Sequence, residues 1–418
     1  MAAPVKYSEL PPHIAECLDS VLQKENLAQR DLKCEIKIVS KGMWVSSLYL
    51  VKASDSDKTV SLYMKTLPIG ATPTAVSRSH LHFCNEVVFY NTVIPAFEQL
   101  KREKGFQDLK LPLCVPKCYL AQENGENDII IMKDMSTSGY ITLDPLKPMG
   151  IPETIIAFKE LGKLHGYSLA LKFFQPQKLK EIRDKLIEPV YANPQYEEAY
   201  LAMGCYHLKS VHAVMKNHYE EGSLYLEKFR IFITKTSELF PILTRTDPSN
   251  EPHNVITHGD VWMSNFLFHY NEQGNKADGV CMLDFQQIRY NSPAIDLGRL
   301  LYVSLDKAAR DQHKNSVLKS YYNSLSETLR EFGLDSDYIF PFCKLESQLK
   351  KYSTFFIYNA TFNLVHALDE QEREGCAIDE TDEMTKSISD VYHRMTDECR
   401  RRIFEIIEES VDLHYMDF

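Results

Sequence analysis

The sequence has few of the features that would place a protein outside the cytosol. Its 418 residues include only ten cysteines, and none forms a C-x-x-C pair, which is too sparse for a disulfide scaffold. No apolar run approaches the roughly 18 residues of a membrane span. The first residues, Met1 to Lys6, lack the apolar core of a signal peptide. We therefore predict a cytoplasmic protein without a membrane span.

Clustered positive charge is also scarce. Asp and Glu number 58 against 47 Lys and Arg, which gives a formal net charge of −11. A protein that binds nucleic acid normally presents a basic domain or stripe, whereas the one tight basic cluster here, Arg400 to Arg402, is flanked by acids. This balance argues against nucleic acid as a partner, and the length is sufficient for two or three lobes that each bury a core.

Hydrophobic periodicity divides the chain into a mixed first part and a helical second part. A helix is predicted over residues 10–25, and a longer one, bent or interrupted at Pro95, over 79–104. After residue 133 the helical pattern dominates, with one β-hairpin at 266–285. The predicted strands of the first part lie at 34–40, 44–52, 59–67, 115–122 and 128–132.

The stretch from His258 to Asn265 has the form H-x-D-x-x-x-x-N, and an Asp-Phe pair follows the predicted hairpin at Asp284. Phosphoryl transfer to an alcohol needs a carboxylate that accepts the hydroxyl proton, together with an amide and a second carboxylate that hold Mg²⁺ on the ATP phosphates. Taken singly, these residues are typical of turn caps and hairpin ends. Their joint occurrence favours a catalytic role over a structural one, with Asp260 as the catalytic base and Asn265 and Asp284 as Mg²⁺ ligands.

A kinase also requires a lysine on the third strand and a glutamate on the next helix. Lys65 stands among apolar neighbours, and Glu86 lies in a largely apolar helical stretch where a charge needs a partner. Each alone is equally well explained as a surface residue. Beside Asp260, Lys65 is predicted to reach the α/β-phosphates of ATP, and Glu86 is predicted to orient that lysine.

The remaining ATP contacts are predicted from position in the chain. The loop between the first two predicted strands holds a single glycine, so backbone amides and the hydroxyls of Ser46 and Ser47 are expected to contact phosphate. The adenine base is expected at the strand exit around Met132 and Asp134, where backbone groups are able to hydrogen-bond it.

These motifs resemble those of the ecdysteroid kinase-like proteins of insects, within the choline kinase-like and aminoglycoside phosphotransferase-like group of small-molecule kinases. The sequence departs from the family pattern at Met43-Trp44-Val45, which replaces a run richer in glycine and asparagine. The matching segments are Phe83-x-x-Glu86-x-x-Phe89-Tyr90, Leu161-x-x-x-His165, Thr257-His258-Gly259-Asp260-x-Trp262-x-x-Asn265, and Leu283-Asp284-Phe285-Gln286 followed by Ser292-Pro293-x-x-Asp296-Leu297.

The resemblance implies a bilobal protein-kinase-like fold of the α+β class. A small, mainly antiparallel β lobe with one long helix, residues 1–135, would bind the nucleotide. A larger helical lobe, residues 136–418, would carry catalysis and the substrate site. The implied reaction transfers the γ-phosphate of ATP to a hydroxyl of a lipophilic alcohol, most simply an ecdysteroid or a related compound. His258 would brace the loop and Asp296 would stabilise the second lobe.

The acceptor is expected to be a small-molecule alcohol, ecdysteroid-like or xenobiotic, but its identity stays open at this stage. Aromatic residues concentrate in 167–225 and 352–362, and they suit either an apolar pocket with hydroxyl handles or an ordinary core. Glu197 and Glu198 keep a choline- or ethanolamine-type cation as an alternative. A non-catalytic nucleotide-binding kinase fold is a further alternative, although such a protein would not need Asp260.

Overall fold

The computed structural model describes residues 3–27, 32–40, 46–68, 72–106, 111–368 and 395–418. It is an α+β protein in which a six-stranded sheet is followed by a mainly helical region. The predicted strand start at Trp44, and the loop residues beside it, lie outside the described residues. Among the helices that are described, none is both long enough and apolar enough to cross a membrane.

The six strands form one antiparallel sheet in the order β1-β2-β3-β4-β6-β5. The five predicted strands are present with slightly shifted ends. The sixth, β1, has only three residues, which is too short for an alternating pattern to be recognised. The strands are β1 (Ala3–Val5), β2 (Lys33–Ser40), β3 (Ser47–Ser54), β4 (Thr59–Thr66), β5 (Cys118–Gln122) and β6 (Ile129–Lys133).

Side chains alternate between the two faces of this sheet. Leu62 and Met64 of β4 belong to a small core that also contains Leu18 of helix α1 (Pro12–Lys24). The opposite face carries Tyr63 and Lys65. Strand β4 is thus covered on both sides, and Lys65 points away from the α1 side of the sheet.

The long helix expected at 79–104 is interrupted by a π-helical turn. Helix α2 (Pro73–Val88) leads into the π-helical turn Phe89–Val93, and α3 (Ile94–Glu103) follows directly. The interruption expected at Pro95 therefore falls a few residues earlier, in the π-helical turn that directly precedes Ile94 and Pro95. Phe89 packs into the core that the second lobe also shares.

The second lobe is built around a close crossing of two long helices, α4 and α9. A Cβ atom at Gly162 of α4 would lie 2.6 Å from the backbone oxygen of Tyr321 in α9, so only glycine permits this approach. The helices are α4 (Ile151–Phe174), α5 (Pro176–Arg183), α6 (Glu197–Met215), α7 (Leu224–Thr244), α8 (Ala294–Ser304), α9 (Lys307–Glu331), α10 (Ser336–Ile339), α11 (Phe342–Lys351), α12 (Ser353–Ala367) and α13 (Asp397–Asp412).

Two short antiparallel ribbons in this lobe position the loops between them. The predicted hairpin is present, although its second strand ends at Met282, so Asp284 lies just beyond it. The second ribbon was not predicted, because its strands have three residues each. The strands are β7 (Val255–Thr257), β8 (Phe266–Tyr270), β9 (Ala277–Met282) and β10 (Arg289–Asn291).

Candidate active site

Lys65 lies at the centre of a buried cluster of charges. Its Nζ is 2.6 Å from Glu86 Oε2 and 2.6 Å from Asp284 Oδ1. Burial by itself would lower the pKa of Lys65, but the charges of Asp284 and Glu86 outweigh it and raise that pKa. Burial raises the pKa of Glu86, against the opposing effect of Lys65. The fold thus brings together three predicted residues from β4, α2 and the loop after β9.

The backbone of Asp284 is held in an unusual conformation. Its φ of +64° is in the left-handed region, which residues other than glycine seldom adopt. The next residue, Phe285, is fully buried and stacks on Phe89, with ring centroids 3.4 Å apart. This anchor holds the loop in the conformation that brings the Asp284 carboxylate to Lys65.

Asp260 and Asn265 belong to one loop that is tied to the Asp284 loop. The Asn265 side chain donates from Nδ2 to the backbone oxygen of Asp260 at 2.8 Å. The backbone oxygen of Asn265 accepts from Leu283 N at 2.9 Å. Because the amide nitrogen is used in this way, the amide oxygen of Asn265 is the atom that is suited to bind a metal ion.

Asp296 supports this loop from beneath. Its carboxylate accepts from the backbone N–H groups of His258 at 2.7 Å and Gly259 at 2.8 Å, and lies 3.1 Å from His165 Nε2. Although burial would raise the pKa of Asp296, hydrogen bonds and nearby histidines lower it, so the group stays ionised. His258 Nε2 donates to Leu283 O at 2.9 Å. His258 and Asp296 therefore occupy the bracing positions that the resemblance implies.

Gly259 can only be glycine in this loop. Its φ is +82°, and a Cβ atom there would lie 1.9 Å from the backbone oxygen of Gln287. No side chain can be placed at such a distance from a carbonyl oxygen. The close approach brings the loop that carries Asp260 against the segment that follows Asp284.

Arg299 of α8 was missed by the sequence reasoning. Its guanidinium forms a buried ion pair with the Oδ1 atom of Asp260, and its Nη1 donates to Gly259 O at 3.1 Å. A signal was present in the sequence, because Arg299 follows Asp296 by three residues in an otherwise apolar helix. A charge in such a stretch needs a partner, but the sequence does not reveal that the partner is Asp260.

A second arginine, Arg289 of β10, supports the same carbonyl group. Its Nη1 donates to Gly259 O at 3.2 Å, and its guanidinium pairs with the carboxylate of Glu188. The sequence reasoning did not identify either residue. Two buried arginines therefore converge on the backbone next to Asp260.

The predicted phosphate-loop serines lie beside the lysine strand. Ser47 begins β3, is buried, and is paired with Thr66 of β4, next to the pair of Leu48 with Lys65. Ser46 directly precedes it and is half-buried. Residues 41–45, which hold the rest of this predicted loop, lie outside the described residues.

The two residues predicted at the adenine site have different environments. Met132 pairs with Tyr63 of β4, so its side chain lies on the same face of the sheet as Lys65. Asp134 is buried, and its carboxylate accepts from Ser61 Oγ at 2.7 Å and from Ser136 N at 2.9 Å. Its backbone N–H also donates to Ser61 O. Asp134 thus holds the strand exit through contacts within the protein.

A small aromatic cavity of about 10 Å³, roughly the space of one water molecule, lies among α6, α7 and α12. It is lined by Tyr191, Tyr200, Leu201, Phe240 and Tyr358, among others. The backbone N–H of Tyr191 donates to Glu188 Oε1 at 3.1 Å, which connects the cavity wall to the Arg289 ion pair.

Leu201 also lines a wider surface groove of about 570 Å³, together with Pro194, Glu197, Glu198 and Ala202. Because Leu201 lines both spaces, the cavity and the groove are adjacent. Glu197 forms an ion pair with Arg245 at 3.1 Å, so part of the acidic charge at the groove is already balanced.

The sequence model of the ecdysteroid kinase-like family matches residues 39–334, which include the predicted site residues from Ser46 to Asp284. A search of curated proteins returns no match.

Three solved structures are among those similar to this chain. An ethanolamine kinase of Plasmodium vivax has a TM-score of 0.44 at 13% identity, over 96% of this chain and 88% of that chain. Spectinomycin phosphotransferase, in complex with ADP and spectinomycin, has a TM-score of 0.40 at 12% identity, over 89% and 93%. The GDP complex of a mutant aminoglycoside 2′-phosphotransferase-IIIa has a TM-score of 0.42 at 9% identity, over 96% and 98%.

Proposed function

This chain belongs to the ecdysteroid kinase-like family, and from that premise we propose that it transfers the γ-phosphate of ATP to a hydroxyl of a small molecule. The observation that carries the proposal is the contact of Lys65 with Glu86 and Asp284. A strand lysine, a helix glutamate and a carboxylate 219 positions further along the chain meet at 2.6 Å. Phosphoryl transfer uses this combination to hold nucleotide and metal together.

The two lobes share the work of binding Mg·ATP. Lys65 contacts the phosphates of the nucleotide, and Glu86 keeps the lysine oriented from α2. The carboxylate of Asp284 and the amide oxygen of Asn265 are oxygen donors of the kind that Mg²⁺ prefers, so these residues fit the metal. When bound, Mg²⁺ neutralises charge on the phosphates. Ser46, Ser47 and Met132 complete the nucleotide contacts on the same lobe.

Asp260 acts as the base that takes the proton of the acceptor hydroxyl. Arg299 binds Oδ1 of this carboxylate, which leaves Oδ2 for the hydroxyl. Asn265 and Asp296 hold the backbone on either side of the base. We regard Arg299 as a positioning residue, because it acts on the acceptor through Asp260.

The acceptor is a lipophilic alcohol, of which an ecdysteroid or a related compound is the best candidate. The groove beside the aromatic cavity supports this choice, because Tyr191 of the cavity wall is linked through Glu188 and Arg289 to the loop of Asp260. Pockets for drug-sized ligands usually measure about 300–1,000 Å³. The outer groove of about 570 Å³ lies within this range, so a steroid would bind there, against Leu201 and beside the aromatic cavity.

A choline- or ethanolamine-type amino alcohol is the second candidate. Glu197 and Glu198 line the groove next to the aromatic cavity, and carboxylates near aromatic faces attract quaternary or primary ammonium groups. The ion pair of Glu197 with Arg245 weakens this attraction. The amino alcohol is therefore ranked below the lipophilic alcohol.

The test is detection of phosphorylated product by mass spectrometry after incubation with Mg·ATP and a panel of ecdysteroids, other lipophilic alcohols, choline and ethanolamine. We expect a phosphorylated steroid or other lipophilic alcohol from the wild type and none from Asp260→Asn. Leu201→Arg should raise the KM for that acceptor and leave the affinity for Mg·ATP unchanged. Phosphocholine or phosphoethanolamine alone would select the second candidate. Product formation by Asp260→Asn at the wild-type rate would contradict the assignment of the base.

A further inference from the structure

Three potential metal ligands converge on the first lobe, outside the proposed ATP site. His80 and Cys84 are one turn apart on α2, and Glu123 directly follows β5. Their donor atoms all lie within 4.8 Å of one another. His80 Nε2 is 3.5 Å from Cys84 Sγ and 3.9 Å from Glu123 Oε2.

The imidazole of His80 is oriented by a buried carboxylate. Asp128 accepts from the backbone N–H groups of Asn124 at 2.7 Å and Gly125 at 2.8 Å, which fixes its position in the hairpin turn. Its second oxygen lies 2.7 Å from His80 Nδ1. Because a carboxylate at this position accepts the Nδ1–H, the lone pair of His80 is on Nε2, the atom nearest Cys84 and Glu123. Histidines that bind metal ions are oriented by such carboxylates.

We propose that His80, Cys84 and Glu123 bind a zinc-class divalent cation, with water as the fourth ligand and Asp128 orienting the histidine. Nitrogen, thiolate and carboxylate ligands at one site are typical of Zn²⁺. Ligand distances of about 2.0–2.3 Å in a tetrahedral site place the donor atoms roughly 3.3–3.8 Å apart. The distance from His80 to Cys84 lies in this range, and that from His80 to Glu123 is slightly longer.

Side-chain adjustments are needed to complete the site. Cys84 Sγ is also 3.9 Å from His80 Nδ1, so the sulfur lies beside the ring, and metal binding requires the sulfur to move in front of Nε2. Glu123 is exposed and free to shift towards the metal. On binding, the Cys84 thiol loses its proton to solvent and the thiolate bonds to the cation, with no change in oxidation state.

The position of the site gives it a structural consequence. Cys84 precedes Glu86 by two residues on α2, and Glu123 belongs to the turn between β5 and β6. A bound cation would therefore connect the helix that carries Glu86 to the hairpin of the sheet. A ligand that binds only the folded state also raises the melting temperature in a concentration-dependent manner.

The test is calorimetric titration of the chelator-treated full chain with Zn²⁺, followed by Co²⁺ absorption spectroscopy. We expect one Zn²⁺ per chain and a thiolate-to-cobalt charge-transfer band. Cys84→Ser should abolish the band, and Asp128→Asn should weaken Zn²⁺ binding by roughly 10- to 100-fold. Cys343→Ser, at an exposed cysteine, is the matched control and should bind Zn²⁺ as the wild type does.

A variant at an exposed position separates binding from folding. Glu123→Gln removes one ligand where no packing is lost, so the protein should fold and unfold as the wild type does without metal, yet bind Zn²⁺ at least tenfold more weakly. Absence of stoichiometric binding by the wild type would overturn the proposal. Equal affinity in the wild type, Cys84→Ser and Glu123→Gln would also overturn it.

Discussion

Replacing Lys65 by methionine should show how much the buried charge cluster contributes to the free energy of unfolding. The change leaves Glu86, which is 1% exposed, without its cation. Coulomb's law with an effective dielectric constant of about 20 gives roughly 6 kcal/mol for opposite charges at 2.6 Å, and desolvation offsets part of it. Removal of one partner from a buried ion pair costs about 3–5 kcal/mol, and we expect Lys65→Met to lower the free energy of unfolding by that amount.

The partner variant and the double variant make the magnitude testable. Glu86→Gln keeps the shape of the side chain, and Lys65 retains Asp284, so the loss should be smaller, about 1–2 kcal/mol. The double variant no longer buries an unpaired carboxylate on α2. Its loss should therefore be about 2 kcal/mol less than the sum of the two single losses, within the range measured for residues in direct contact.

The assay is urea unfolding followed by far-UV circular dichroism and by fluorescence, with coincident transitions as the criterion for comparing the variants. Lys235→Met is the matched control, because Lys235 forms a 2.7 Å ion pair with Glu238 in which both side chains are exposed, so the variant should lose less than about 1 kcal/mol. The reasoning would be refuted if Lys65→Met unfolded like this control. Strict additivity in the double variant would refute it equally.

Three further predictions concern the loop of the base and the helical lobe. Arg299→Lys should lower kcat at least tenfold with little change in the KM for Mg·ATP, and an unchanged kcat would remove Arg299 from the positioning of Asp260. Gly259→Ala should lower the free energy of unfolding by more than about 1 kcal/mol in urea titrations, because the added Cβ meets Gln287 O, and wild-type stability would contradict this. Burial holds the pKa of His207 well below its usual range, so below about pH 6.5 the unfolded chain takes up a proton that the folded chain does not. The free energy of unfolding should therefore fall from pH 8 to pH 5, and less steeply in His207→Gln; parallel profiles would contradict the assignment.

The residues that local patterns reveal are those whose chemical type and spacing are both distinctive. Asp260 and Asn265 lie on one loop at a fixed spacing, and Asp284 follows a recognisable hairpin. Lys65 and Glu86 were predicted because a charge in an apolar strand or helix needs a partner. The contacts found in the structure pair those two residues as expected. The fold class and the family resemblance are confirmed.

The features that were missed depend on contacts between distant parts of the chain. Arg299 reaches Asp260 across 39 positions, and Arg289 reaches Glu188 across 101. Neither partner can be identified from spacing alone. The three-residue strands β1, β7 and β10 are too short to show alternation, and the left-handed backbone of Asp284 is imposed by the packing of the residues around it.

The central claim is that Asp260 is the base of an ATP-dependent phosphotransferase. It is tested most directly by single-turnover transfer of the γ-phosphate to the acceptor found in the panel, with Mg·ATP affinity measured on the same samples of wild type and Asp260→Asn. The account predicts that the variant binds Mg·ATP with an affinity within about twofold of the wild type but transfers phosphate at least 100-fold more slowly. Transfer at the wild-type rate by Asp260→Asn would contradict the account.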